Sequence, residues 1–268
     1  MAVRKCRYCL SGMVAAVGWY NRMLCIADEW KGVYQCPECG LMQRFELPEG
    51  DACPPEMKSG KYTAGEKTIN QRMRSRLDFL ERTRGKGLLL DVGAGTGSFV
   101  DGARQRGWDA VGVERPGFNR EHCHVIRVDL MKDDLPGYES ESFHVLHMNH
   151  VLEHVEQIQR FLQAGLAYLR PDGVLILEVP NEVRSLANRV RRVFGMKYRS
   201  RTAFLGHWNF FDKQTLRRIL EAQELDILRL RTPAVMGSGG SAGHRLFDRM
   251  QSCLGMGSVI EVVARKRG

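Results

Sequence analysis

The sequence predicts a doubly wound α/β fold with a mostly parallel sheet, preceded by a small cysteine-rich, metal-holding module. Three observations predict it. The apolar run Leu88 to Leu90 leads into a loop with glycines at 93, 95 and 97, and a helical pattern begins at Ser98. Further apolar strands ending in polar residues follow, alternating with helical segments, as in parallel sheets buried on both faces. Cys6 and Cys9, then Cys36 and Cys39, form two C-x-x-C pairs separated by 26 residues.

The cysteine pairs come first in the chain. Each pair makes a tight knuckle, and two knuckles set four thiolates around one tetrahedral ion, a closed structural Zn2+ site without an open position. Val33 to Phe45 reads as short strands around the second knuckle. Residues 1–50 are therefore expected to be a zinc-ribbon-like module whose small core needs the metal.

Composition narrows the setting. A chain of 268 residues, 43% of them hydrophobic, can bury a full core. No apolar run approaches a membrane span, and the basic start, Met1 to Cys9, is followed by no signal-type apolar region. The expected location is cytoplasmic, with contact at a membrane surface left open. A net charge of +9 admits an anionic partner: RNA, an acidic glycan, a phosphorylated carrier or a membrane surface.

Residues 51–86 read as a linker and a helix. Pro54 and Pro55 mark the linker, and Ala64 to Arg84 is a polar, arginine-rich helix with Leu77 and Leu80 as core contacts.

The glycine loop opens the third region, 87–268. Strand, glycine loop and helix start together suit a nucleotide cofactor, because backbone approaches a ligand closely where no Cβ intervenes. The dinucleotide fingerprint is G-x-G-x-x-G. Here the third glycine comes one position early, and Asp91 closes the strand. A carboxylate repels a pyrophosphate but can bind the ammonium of S-adenosylmethionine (SAM).

Downstream, Ala110 to Glu114 is a strand ending in an acid placed to accept both hydrogen bonds of a ribose diol. Val125 to Val128 is the next strand, followed by Asp129 and Leu130. Phe143 to Met148 is another, with Asn149 and His150 at its carboxyl end, where open parallel sheets bind ligands. Val151, Val155, Ile158, Leu162, Leu166 and Leu169 fall at helical spacing after it. Arg170 to Gly173 reads as a turn, Val174 to Val179 and Leu225 to Arg231 as strands, and Ser258 to Ala264 as the last strand.

The run Asp91-Val-Gly-Ala-Gly-Thr-Gly97 closely resembles the first motif of the class I SAM-dependent methyltransferases. Asn149-His-Val-Leu-Glu-His-Val155, Leu169-Arg-Pro-Asp-Gly173, Val179-Pro-Asn181 and Gly206-His-Trp-Asn-Phe-Phe211 extend the resemblance over about Tyr62 to Arg231. It implies a Rossmann-like sheet of seven strands, the last inserted antiparallel between the fifth and sixth. It implies a SAM site made by Asp91, Gly93, Ala94, Gly95, Thr96 and Gly97 for the methionine end, Glu114 for the ribose, Asp129 and Leu130 for the adenine, and Asn149 beside them. Relatives often carry an N-terminal zinc-binding region. Several act on sugars, cell-surface glycans or quinone-like molecules, through oxygen or carbon. On the same grounds His207 or His150 is the expected base, with Tyr62 assisting.

Three features compete with or extend that expectation. His150-Val-Leu-Glu-His154 matches H-x-x-E-H, which on one helix would bring His150 and His154 to one metal, as in an inverted zinc protease. Residues 182–206, rich in arginine with interleaved apolar positions, read as a basic amphipathic lid. The alternative functions are methylation of rRNA or tRNA, with the zinc module and lid arginines on phosphates, and a non-enzymatic zinc-dependent scaffold. Asn149-His-Val-Leu lacks the [DN]-P-P-[YF] motif used on exocyclic amines, and the intact glycine loop argues against a decayed pocket.

Overall fold

The computed structural model describes residues 4–12, 14–15, 33–45, 66–116, 123–186, 190, 206–233 and 242–268. Tyr62, the linker prolines and most of the basic lid lie outside the described residues.

Three short strands come first: β1 (Val14–Ala15), β2 (Val33–Gln35) and β3 (Met42–Arg44). Helix α1 (Glu66–Thr83) leads into β4 (Leu88–Val92), then α2 (Ser98–Gln105), β5 (Asp109–Glu114), β6 (Val125–Arg127) and β7 (Phe143–Asn149). Helix α3 (Ile158–Ala167), β8 (Leu169–Pro180), β9 (Asn209–Phe210), α4 (Lys213–Glu221), β10 (Leu225–Arg231), α5 (Ala242–Cys253) and β11 (Val259–Lys266) complete the order.

The main sheet has seven strands in the order β10-β11-β8-β7-β4-β5-β6. β4 pairs in parallel with β5 and β7, and the outer pairs β5–β6 and β7–β8 are also parallel. β11 lies antiparallel between β8 and β10, as expected of the last strand. The Rossmann-like prediction holds. Leu89 and Leu90 alternate to opposite faces of β4 and both are fully buried, one under each helical layer.

The helices close those layers by ordinary amphipathic logic. Leu77 and Leu80 of α1 are fully buried, and so are Val100 and Ala103 of α2. Leu216, Ile219 and Leu220 anchor α4, whose first turn is capped by Asp212 accepting from the Thr215 N–H at 2.8 Å.

Three local expectations need correction. The apolar spacing after β7 does not make one helix from Val151. Instead a single 3₁₀ turn, Leu152–His154, is followed by extended backbone at Val155, and α3 starts only at Ile158. His150 has φ +55°, a left-handed conformation that no α-helix continues through. Strand β8 starts at Leu169 rather than Val174, with Arg170 to Gly173 bulging out between its two registers on β7. From the sequence, Pro233 to Gly243 reads as a glycine- and serine-rich loop, yet helix α5 begins inside it at Ala242.

A second sheet joins the N-terminal strands to the C-terminal half of the chain, in the order β1-β2-β3-β9. Met42 pairs with Phe210 and Gln43 with Asn209. Arg7 stacks its guanidinium over the rings of Phe45 and Trp208, 4.7 and 4.9 Å from the centroids. Cys6, Cys36, Cys39 and Leu41 pack into the same hydrophobic core as the main sheet.

Candidate active site

The glycine loop lies at the carboxyl end of β4. Its three glycines take φ values of +74°, +54° and +78°, which favour glycine. Gly93 has a second constraint, because a Cβ there would sit 2.5 Å from Val151 Cγ2. The loop is tied to the neighbouring strand: the N–H groups of Gly93 and Ala94 donate to the Val113 carbonyl, at 2.8 and 3.1 Å. Thr96 and Ser98 join their hydroxyls at 2.8 Å, and Gly97 caps α2.

Glu114, at the end of β5, folds back onto this loop. Its Oε2 accepts from the Gly95 N–H at 3.0 Å and its Oε1 from the Arg115 N–H at 3.0 Å. Asp129, after β6, caps the following turn by accepting from the Met131 N–H at 3.1 Å, and Leu130 packs half-buried against the core. Asp91 is buried, with Oδ1 2.7 Å from His147 Nδ1. These residues share the carboxyl edge of the parallel strands, as the sequence predicts.

Beneath them runs a buried polar network. Arg76 of α1 donates to His147 Nε2 (3.0 Å), to Asn149 Oδ1 (2.9 Å) and to Glu178 Oε2 (2.5 Å). Arg72 also reaches Glu178. Because His147 Nε2 accepts from Arg76, the proton sits on Nδ1 and is donated to Asp91. Burial, reinforced by Arg76, holds the His147 imidazole below its ordinary pKa despite Asp91. His147 also stacks on Phe99, ring centroids 3.8 Å apart.

The other end of this polar region forms around the 3₁₀ turn. Both ring nitrogens of His150 are engaged by carboxylates, Nδ1 at 3.0 Å from Glu153 Oε1 and Nε2 at 3.2 Å from Glu178 Oε1. His154 Nδ1 donates to the Gly206 carbonyl at 2.9 Å. His207 Nδ1 pairs with Glu182 Oε1 at 2.9 Å. Burial disfavours a charged His207, yet the Glu182 carboxylate outweighs it and lifts the imidazole above its ordinary value. Burial likewise pushes the Glu182 carboxyl up. The ring of His154 stands edge-on to His207, centroids 4.7 Å apart.

Away from this end, the thiols of Cys6, Cys9, Cys36 and Cys39 all lie within 4.8 Å of one another. Cys6 to Cys39 is 3.7 Å and Cys9 to Cys36 is 3.4 Å, close to the sulfur spacing of about 3.8 Å in a tetrahedral zinc site. The donor set fits Zn2+.

Residues 66–230 match the family described as "Methyltransferase domain". The chain belongs to this methyltransferase family. Among solved structures it is similar to a SAM-dependent methyltransferase from Archaeoglobus fulgidus, at 18% identity and a TM-score of 0.52, covering 75% of this chain and 94% of that one. It is also similar to the 1,6-didemethyltoxoflavin-N1-methyltransferase of Burkholderia thailandensis, whose structure holds 1,6-didemethyltoxoflavin and S-adenosylhomocysteine. There the identity is 17%, the TM-score 0.52, and the coverage 85% of this chain and 96% of that one. A third similar structure is a Haloferax volcanii complex of the Trm112 methyltransferase activator with its methyltransferase, at 12% identity, a TM-score of 0.52, and 77% and 95% coverage. No curated protein matches the chain.

Within the methyltransferase, the H-x-x-E-H pattern does not set His150 and His154 on one helix facing one ion. The left-handed His150 points its nitrogens to Glu153 and Glu178, and His154 turns toward His207. Sequence reasoning missed Arg76, His147, Glu178 and Glu182. A signal existed for Glu178 and His147: each is a polar residue inside an otherwise apolar strand, where an unpaired group is costly. Among the described residues no helix is long and apolar enough to cross a membrane.

Proposed function

We propose that this methyltransferase moves the methyl group of SAM to an oxygen or carbon of a small-molecule, sugar or glycan acceptor. The observation that carries the reading is Glu114 docked on the glycine loop through Gly95, with Asp91 buried at the same strand edge. Two carboxylates at the mouth of the loop oppose a diphosphate and favour a donor that carries an ammonium, a sulfonium and a ribose diol.

In this reading Asp91 and residues 93–97 hold the methionine end, Glu114 the ribose, and Asp129 with Leu130 the adenine. Asn149, fixed by Arg76, borders that pocket. SAM, when bound, supplies an activated methyl group on a good leaving group. The chain's own task is alignment, exclusion of water and handling of the acceptor proton.

His207 is the acceptor-activating residue. Its Nδ1 is occupied by Glu182, so Nε2 is the nitrogen that meets the acceptor, directly or with a cation between them. The small-molecule class is supported by the absence of the exocyclic-amine motif and by the toxoflavin-type acceptor of one similar structure. Zn2+ on Cys6, Cys9, Cys36 and Cys39 has a structural role, since four sulfurs leave no position for substrate.

Calorimetry of the zinc-loaded protein with SAM tests the donor. Saturable heat is expected, and its absence overturns the enzymatic reading. Labelled SAM then sorts acceptors, with transfer into metabolites or glycans expected and transfer confined to RNA overturning the acceptor class. Replacing His207 by Ala should lower turnover by roughly a hundredfold or more while SAM still binds.

A further inference from the structure

We propose that Glu153, His154 and His207 form a second metal site, distinct from the cysteine cluster, which takes a divalent transition-metal ion at the acceptor end. One potential ligand atom from each residue lies within 4.8 Å of the others. Two imidazoles and one carboxylate are a common donor set for Zn2+, Fe2+ and related ions, and three ligands leave coordination positions open for a substrate oxygen.

What distinguishes this from a chance cluster is how the unused atoms are occupied. His154 gives its Nδ1–H to the Gly206 carbonyl and His207 gives its Nδ1–H to Glu182, so each presents Nε2. A metal-binding histidine needs this arrangement: the second nitrogen anchored to a carbonyl or carboxylate, which fixes tautomer and ring direction. Glu153 is fully buried, and its Oε1 is held by His150. Its Oε2 is buried without a hydrogen-bond partner. An ionised oxygen left so would be costly, and a cation between it and the two imidazoles removes that cost. His154 is exposed and gives the ion a route in.

The backbone around the site is also fixed. Trp208 N–H donates to the Glu153 carbonyl at 2.7 Å, and Asn209 Nδ2 donates to the Leu152 and Val155 carbonyls on either side of the pair. Bonds of about 2.1 Å to the metal require the ligand atoms to close by roughly an ångström, within the reach of small side-chain rotations.

The consequence for catalysis rests on the methyl transfer proposed above; the site itself does not. An ion there would bind the acceptor hydroxyl and lower its pKa, so that the proton leaves to water near neutral pH. The oxygen then forms its bond to the methyl carbon as the carbon–sulfur bond breaks, and sulfur keeps the electron pair. Such a site selects acceptors with a second oxygen beside the reacting one, because two donors fill the open positions.

The test uses the full chain with zinc already on its cysteines, titrated with Co2+ and followed by visible absorption, with SAM calorimetry in parallel. One further cobalt equivalent is expected, with ligand-field bands and without the sulfur charge-transfer band of a thiolate site. Glu153→Gln and His154→Ala should abolish it, and Glu182→Gln should weaken it by about 10- to 100-fold. SAM binding retained in these variants shows that they are folded. No additional cobalt in the wild-type protein, or binding unchanged in both ligand variants, overturns the proposal. SAM heat without cobalt binding removes the metal site alone. Cobalt binding without SAM heat supports the metal site and removes the methyltransferase reading.

Discussion

Gln43 donates to the side-chain oxygen of Asn209 at 2.8 Å, and both residues are fully excluded from solvent. The same Asn209 spends its amide protons on the carbonyls of Leu152 and Val155. The N-terminal strands are thereby joined, through one amide, to the turn that carries Glu153 and His154. Replacing Gln43 by Leu strands the Asn209 oxygen, at an expected cost of about 1–3 kcal/mol. For a chain of this size that lowers the melting temperature by roughly 2–4 °C per kcal/mol, which scanning calorimetry will show.

Glu114 is expected to carry donor affinity. Its Oε2 is already committed to the Gly95 N–H and aligns the loop, so Glu114→Ala removes both loop support and a charged ribose partner. A charged hydrogen bond contributes about 1.5–3 kcal/mol, which corresponds to a SAM affinity weaker by roughly one to two orders of magnitude. Calorimetry should find this loss with acceptor KM little changed.

Gly93 admits no side chain. Gly93→Ala places a methyl 2.5 Å from Val151 Cγ2 on a backbone with φ +74°. SAM binding and melting temperature should both fall. Adding Val151→Ala removes the collision but not the left-handed backbone, so it should restore stability only in part. Full restoration would show that crowding alone sets this position.

His147 gives the fold a pH dependence of defined sign. Its pKa in the folded protein lies below the ordinary value, because burial and Arg76 disfavour the charged ring. The unfolded chain therefore binds a proton that the folded chain refuses. Stability is fully present above about pH 6.5 and declines as pH falls below it, until the folded imidazole itself protonates. His147→Asn should flatten this decline in urea denaturation midpoints between about pH 5.5 and 7.5. An unchanged slope would exclude His147 as the titrating group.

What could be read from the sequence was local. The glycine loop, the strands ending in Asp91 and Glu114 and the cysteine knuckles each lie within a few consecutive residues, where spacing alone specifies geometry. The network around Arg76 could not be read that way. Its partners His147 and Glu178 are 71 and 102 residues away, and an arginine on a polar helix ordinarily faces water. The pattern His150 to His154 was visible, but its meaning turned on one backbone angle. A left-handed His150 converts an assumed helical pair into a turn whose Glu153 and His154 meet His207, more than fifty residues later.

The pairing of β3 with β9 also orders events during synthesis. Met42 waits for Phe210 to leave the ribosome before its free strand edge is covered. At about 5–20 residues per second that delay is roughly ten to thirty seconds. In that interval the cysteine knuckles and the β1–β2 and β2–β3 pairings are the local restraints on the nascent N-terminal segment. If the four thiols hold Zn2+ as proposed above, metal supply during translation bears on how much of the newly made chain escapes aggregation, before any question of turnover arises.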